Sequence, residues 1–165
     1  MKRVVLLCCA LLSFPALAQE VDDEPGTRSA ASDADGWHYG REGDGDALRI
    51  YATVSGRIDS GATVELTFSH SDLSGRQARL SGLPDSLDCP AVCQVGLSID
   101  GVADKARATM PPDSEATLSL RNARALWKAL ENAQRLEITY PDTSGKDGRA
   151  VFEVHGIDLT ALPGW

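Results

Sequence analysis

From residue 37 onward, apolar and polar residues alternate with a period of two along most of the chain. That is the pattern of strands buried on one face. The stretch ALRIYATVS, residues 47–55, places Leu48, Ile50, Ala52 and Val54 on one side and Arg49, Tyr51 and Thr53 on the other. ATVELTFSH, residues 62–70, repeats it, with Val64, Leu66 and Phe68 facing in and Thr63, Glu65 and Thr67 facing out. A one-residue slip would invert the burial of either strand, so the alternation pins their pairing. Residues 37–42 and 76–80 are shorter candidates, and Gly43-Asp44-Gly45-Asp46 after the first is a dense turn signal. QVGLSID, residues 94–100, alternates through Val95, Leu97 and Ile99. Asp100-Gly101 then predicts a tight hairpin turn, with 102–109 as the returning strand and Pro111-Pro112 ending it. Residues 115–119, 135–140 and 149–156 complete the set.

One stretch breaks the rhythm. In NARALWKALENA, residues 122–133, Ala123, Leu126, Trp127, Leu130 and Ala133 recur at three- and four-residue steps. This is one apolar stripe on a short helix, with Asn122 in position to cap it. About eight strands, one helix and no alternating strand–helix rhythm predict a mainly β fold. The expected architecture is an antiparallel β-sandwich or open barrel, with the helix over residues 122–133 closing one end. Trp37 and Trp165 bracket this single domain, residues 37–165.

The N-terminal end carries a different signal. Lys2 and Arg3 precede the apolar run from Val4 to Leu12, and Ala16-Leu17-Ala18 matches a signal-peptidase site. Residues 1–18 are therefore expected to be a signal peptide removed before Gln19, which places the protein in the periplasm or outside the cell. The run is shorter than the roughly 20 residues a bilayer span needs, so no stable membrane insertion is expected. Residues 19–36, QEVDDEPGTRSAASDADG, contain almost no large apolar side chains and are expected to form a disordered acidic leader. Losing Lys2 and Arg3 takes the formal net charge from −8 to −10. Such a chain repels phosphate backbones, which argues against a nucleic-acid partner.

Cys8 and Cys9 leave with the signal peptide, so Cys89 and Cys93 in DCPAVC are the remaining thiols. An even pair in an exported chain is most simply a disulfide. A turn with Pro90 at its second position would bring the two sulfurs together, since a fully extended segment would hold the Cα atoms too far apart. The alternative is chemical. CPAVC resembles the C-P-x-V-C of Sco-type copper chaperones, which implies copper held by Cys89 and Cys93 with the downstream His155 as a third ligand. In those chaperones a helix follows the motif, whereas here a strand pattern does.

Other chemistry finds little support. Asp33, Asp35, Gly36 and Glu42 fall at calcium-loop spacing counted from Ala31, but the first ligand position is then alanine and no helices flank the loop. There is no G-x-S-x-G or H-E-x-x-H, and His38, His70 and His155 are scattered. Arg121, Arg124 and Lys128 lie on the polar side of the helix and form a candidate partner surface. Their plainer reading is a solvated face with a Lys128–Glu131 pair.

The C-terminal half resembles exported bacterial proteins of the invasion-associated locus B type. The shared order is a cysteine pair, the strand CQVGLSID, a helix with Leu126 and Leu130, a strand with Leu136 and Ile138, and a terminal Phe152-Glu153-Val154-His155-Gly156 segment. The similarity runs over residues 89–162. That family carries a second cysteine pair after an N-terminal Trp, and Trp37 here is followed by none. The resemblance implies an exported β-rich fold and a role in envelope or host interaction. Together these features predict a non-enzymatic exported protein that binds an envelope or secreted partner and needs no cofactor. A periplasmic copper or thiol-redox protein is the alternative.

Overall fold

A computed structural model describes residues 36–165, apart from residues 113 and 115. The expected signal peptide, and all of the leader but Gly36, lie outside the described residues, as do Asp33 and Asp35 of the calcium-loop spacing.

The strands are β1 (Trp37–Glu42), β2 (Arg49–Ile58), β3 (Thr63–Ser71), β4 (Gly75–Ser81), β5 (Val92–Ile99), β6 (Val102–Thr109), β7 (Thr117–Leu120), β8 (Arg135–Pro141) and β9 (Asp147–Glu153). One helix, α1 (Ala123–Ala129), separates β7 from β8. Every pairing is antiparallel, and the order β1-β2-β3-β4-β7-β6-β5-β8-β9 returns to β2 through β9. The expected sandwich or barrel is therefore a closed eight-stranded barrel, with β1 as an additional strand on β2. Closure removes the two edges an open sheet would expose.

Closure depends on one edge of β2 serving two partners. Residues 49–54 of β2 pair with β1, and residues 56–58 pair with β9, with Gly56 opposite Phe152. The Phe152 ring and the Val151 carbonyl oxygen fill the space a Cβ on Gly56 would occupy. The close backbone approach that seals the barrel is thus available to glycine. The Asp100-Gly101 hairpin forms as predicted, with both residues in the left-handed region at φ 48° and 84°.

The alternating apolar residues fill the interior. Val54, Val64, Leu66, Phe68, Leu80, Leu118, Leu136, Ile138 and Phe152 are almost wholly buried. Leu48, assigned inward by alternation, lies just before β2 and is partly exposed, because the chain is still leaving a short 3-10 turn there. At one end, Trp37, Phe68, Trp127 and Trp165 pack ring against ring with centroids 5.0–6.0 Å apart. The two tryptophans that bracket the domain are therefore joined through Phe68 and through Trp127 of the helix. The Trp37 indole N–H donates to the Val154 carbonyl at 3.0 Å, and the Asp158 N–H donates to the Tyr39 hydroxyl at 2.7 Å. Burial pushes the Tyr39 phenol above its ordinary value.

The helix is shorter than the 122–133 expected. Asn122 occupies the N-cap position in the left-handed conformation (φ 60°, ψ 38°), and its side chain makes no cap hydrogen bond. Its carbonyl instead accepts from the Ala125 and Leu126 N–H groups. Leu130 and Ala133 are buried as the stripe predicts, but from the turn that follows the helix.

The loop before Cys89 is tied to the β8–β9 turn. The Thr143 N–H donates to the Ser86 carbonyl at 2.7 Å, and the Asp88 N–H to the Pro141 carbonyl at 3.0 Å. The Ser86 hydroxyl donates to the Asp142 carboxylate, which also accepts the Ser144 N–H at 2.7 Å. Hydrogen bonds from the Ser144 and Ser86 side chains, then the Ser144 N–H, hold the Asp142 carboxyl below its ordinary value. A carboxyl lowered in the folded state stabilises fully above its unfolded value of about 3.9, and that contribution is lost as pH falls through the folded value. The protection factors against hydrogen exchange at Thr143 and Asp88, taken relative to the intrinsic rate at each pH, are therefore expected to fall as the pH is lowered below about 4. Asp142→Ala should show low protection factors throughout, with a weaker pH dependence.

Candidate functional site

The cysteine pair comes together as a local clasp. Cys89 and Cys93 lie 5.3 Å apart at Cα, and their sulfurs are 2.12 Å apart, at disulfide-bonding distance. Cys89 is only 1% exposed, and Cys93 is the second residue of β5, opposite Ala108 of β6. The segment thus starts a strand, as the alternation after it implies. On the chain-entropy model so small a loop contributes about 2 kcal/mol. The Cys89→Ala/Cys93→Ala variant is expected to stay folded, with a denaturant midpoint lowered by about that free energy at unchanged slope.

The structure does not bring His155 to the cysteines. The last strand ends at Glu153, so His155 sits in an exposed turn and not within a strand as expected. It borders an open groove with Ser55, Arg57, Thr63, Val151 and Glu153 at the β2–β9 seam. No group of three His, Cys, Asp or Glu side chains among the described residues is placed to hold a metal ion. His38 lies on β1 and His70 near the end of β3, so the three histidines occupy separate elements. Glu42 pairs with Arg49 at 2.6 Å.

The cations of the candidate partner surface gain neighbours. Period two puts Lys105 and Arg107 of β6 on the outer face, opposite Gly96 and Gln94 of β5. Ala108 of β6 pairs with Leu120 of β7, and the Arg121 N–H then donates to the Arg107 carbonyl at 2.8 Å. Val92, Gln94, Lys105, Ala106, Arg107, Arg121 and Asn122 line one open groove of about 570 Å³, with no acidic side chain among them. A second, smaller cleft shares Lys105, Arg121 and Asn122, adds the acid Asp104, and runs on to Ala125 and Ala129 of α1. Arg124 and Lys128, four residues apart on the exposed side of that helix, extend the basic face.

These five side chains are exposed, and none forms an ion pair among the described residues. The Lys128–Glu131 pair suggested by spacing does not form. The helix ends at Ala129, which leaves Glu131 in the following turn. Elsewhere on the barrel Arg49, Arg135 and Arg149 meet carboxylates, Arg57 and Arg76 donate to the Gly61 and Gly164 carbonyls, and Arg41 and Lys146 stand as single exposed cations on separate elements. Val92 stands 57% exposed at the groove, an apolar contact beside charged ones. Guanidinium groups at this density can form forked, charge-assisted hydrogen bonds to carboxylates, with Lys105 adding a mobile point charge. Lys105, Arg107 and Val92 were not among the residues singled out from the sequence. The polar phase of 102–109 marks the two cations, but their meeting with Arg121 depends on the β6–β7 pairing.

Comparison with protein-family models, curated proteins and solved structures finds no match. The surface itself is thus the basis for a functional reading. No helix among the described residues is long and apolar enough to cross a membrane.

Proposed function

We infer that this is an exported, non-enzymatic binding protein that takes an acidic envelope or secreted partner on the basic face of β6 and α1. The observation that carries this reading is five exposed cations without ion pairs among the described residues, on a chain whose net charge after signal removal is −10. An acidic chain that gathers five unpaired cations on one face repels most anionic surfaces at long range. It favours only a partner whose negative patch can align with that face. Val92 and Gln94 supply the uncharged contacts that a charged rim needs beside it. The copper or thiol-redox alternative has weaker support, because Cys89 is buried and His155 borders a different groove.

The test is affinity capture from an envelope extract, using the mature protein beside Lys105→Glu/Arg121→Glu. A partner retained by the first and lost by the second supports the reading. Equal capture by both places the binding surface elsewhere.

A further inference from the structure

The chain carries its own candidate ligand for the basic face. Residues 19–36 hold Glu20, Asp22, Asp23, Glu24, Asp33 and Asp35 against the single cation Arg28, a net charge of −5. The far larger domain, residues 37–165, has 13 cations and 18 acids, also a net −5. The leader is thus the most concentrated negative charge in the mature protein, and the β6–α1 face offers unpaired positive charge. We propose that the acidic segment 20–24 docks on the face formed by Lys105, Arg107, Arg121, Arg124 and Lys128, and competes there with the acidic partner.

The point of attachment suits this. The leader joins the barrel at Trp37, whose ring stacks edge-on against Trp127 with centroids 5.5 Å apart. Trp127 is on α1, beside Lys128 in sequence. Residues 25–36 separate Glu24 from Trp37 and can span at most about 43 Å, at ~3.3–3.6 Å per residue. A domain of this size has a radius of gyration of about 14 Å, so the basic face lies within reach. Tethering also sets the effective concentration of the acidic segment in the millimolar range, enough to compete with a free ligand of similar charge. The groove beside Val92 has no carboxylate in its lining, and Asp104 is the single acid in the lining of the adjoining cleft, against Lys105 and Arg121. This inference rests on the basic face being a binding surface. It adds that the face is regulated by the same chain.

The test keeps the whole mature chain and neutralises only the segment, as Glu20→Gln/Asp22→Asn/Asp23→Asn/Glu24→Gln. The probe is a fluorescein-labelled hexaglutamate peptide at 20 mM salt. Neutralisation is expected to tighten peptide binding about tenfold, with the difference disappearing at 0.5 M salt, where charges more than a few Å apart are screened. In parallel, the backbone amide resonances of Lys105, Arg107 and Arg121 are compared between the two chains without any peptide. Shifts confined to the β6–α1 face establish docking of the leader. Unchanged resonances together with equal peptide affinity overturn it. If the peptide binds neither chain but the resonances shift, the leader still docks, and it is the acidic-partner reading that loses its support. If the peptide binds both equally and the resonances stay put, the partner reading stands and the leader proposal falls.

Discussion

Trp127→Ala is expected to cost about 3–5 kcal/mol of folding free energy, the range for emptying a large aromatic site from a core. Trp127 is 1% exposed and touches Trp37, Phe68 and Trp165, so its removal opens the junction of three separated parts of the chain. Typical domains have only about 5–15 kcal/mol in hand, so the loss should appear as a large drop in denaturant midpoint and a collapse of near-ultraviolet dichroism. Trp127→Phe makes the expectation sharper. The Trp127 indole N–H is buried without a hydrogen-bond partner, so phenylalanine forfeits volume but no polar contact. It should cost well under half as much as alanine. A loss below about 1 kcal/mol for alanine, the ordinary scale of a point mutation, would mean the four rings are not the junction described here.

That cluster also shows what was legible in the chain. Each ring sits at a position local periodicity could assign: Phe68 in an alternating strand, Trp127 on the helical stripe, Trp37 and Trp165 at the domain limits. Local periodicity says which face of an element is buried, because burial repeats every two residues in a strand and every three or four in a helix. It does not say which elements meet. Closure of the barrel turns on Gly56 lying opposite Phe152, 96 residues away, and nothing local to either residue marks that pairing. His155 was misplaced for a related reason. Alternation runs on through Val154, but the strand ends when its partner, β8, begins at Arg135 opposite Glu153.

The basic face divides in the same way. Arg121, Arg124 and Lys128 were visible as charges on one polar side of a helix. Lys105 and Arg107 were visible only as the polar phase of a strand, a role that by itself implies contact with solvent and nothing more. The register that makes Arg107 and Arg121 neighbours is what turns scattered surface charge into a groove.

The functional prediction follows from that adjacency. Lys105→Glu/Arg121→Glu is expected to weaken capture of the partner by a hundredfold or more at low salt. Losing a close charge pair across an interface costs on the order of 2 kcal/mol, and each reversal adds repulsion where attraction stood. Much of the effect should lie in the association rate and should shrink as salt rises, since steering acts at long range. Both side chains are exposed and unpaired among the described residues, so folding stability should move by no more than about 0.5 kcal/mol. Arg124→Glu/Lys128→Glu, outside the groove lining, should weaken capture by roughly tenfold at most. His155→Ala, at the β2–β9 seam, should leave it unchanged. Binding kinetics at two ionic strengths and a denaturation curve on the same samples decide the matter. A groove variant that binds poorly because it is unfolded fails the second measurement. One that is stable and still binds normally removes the groove from the partner interface.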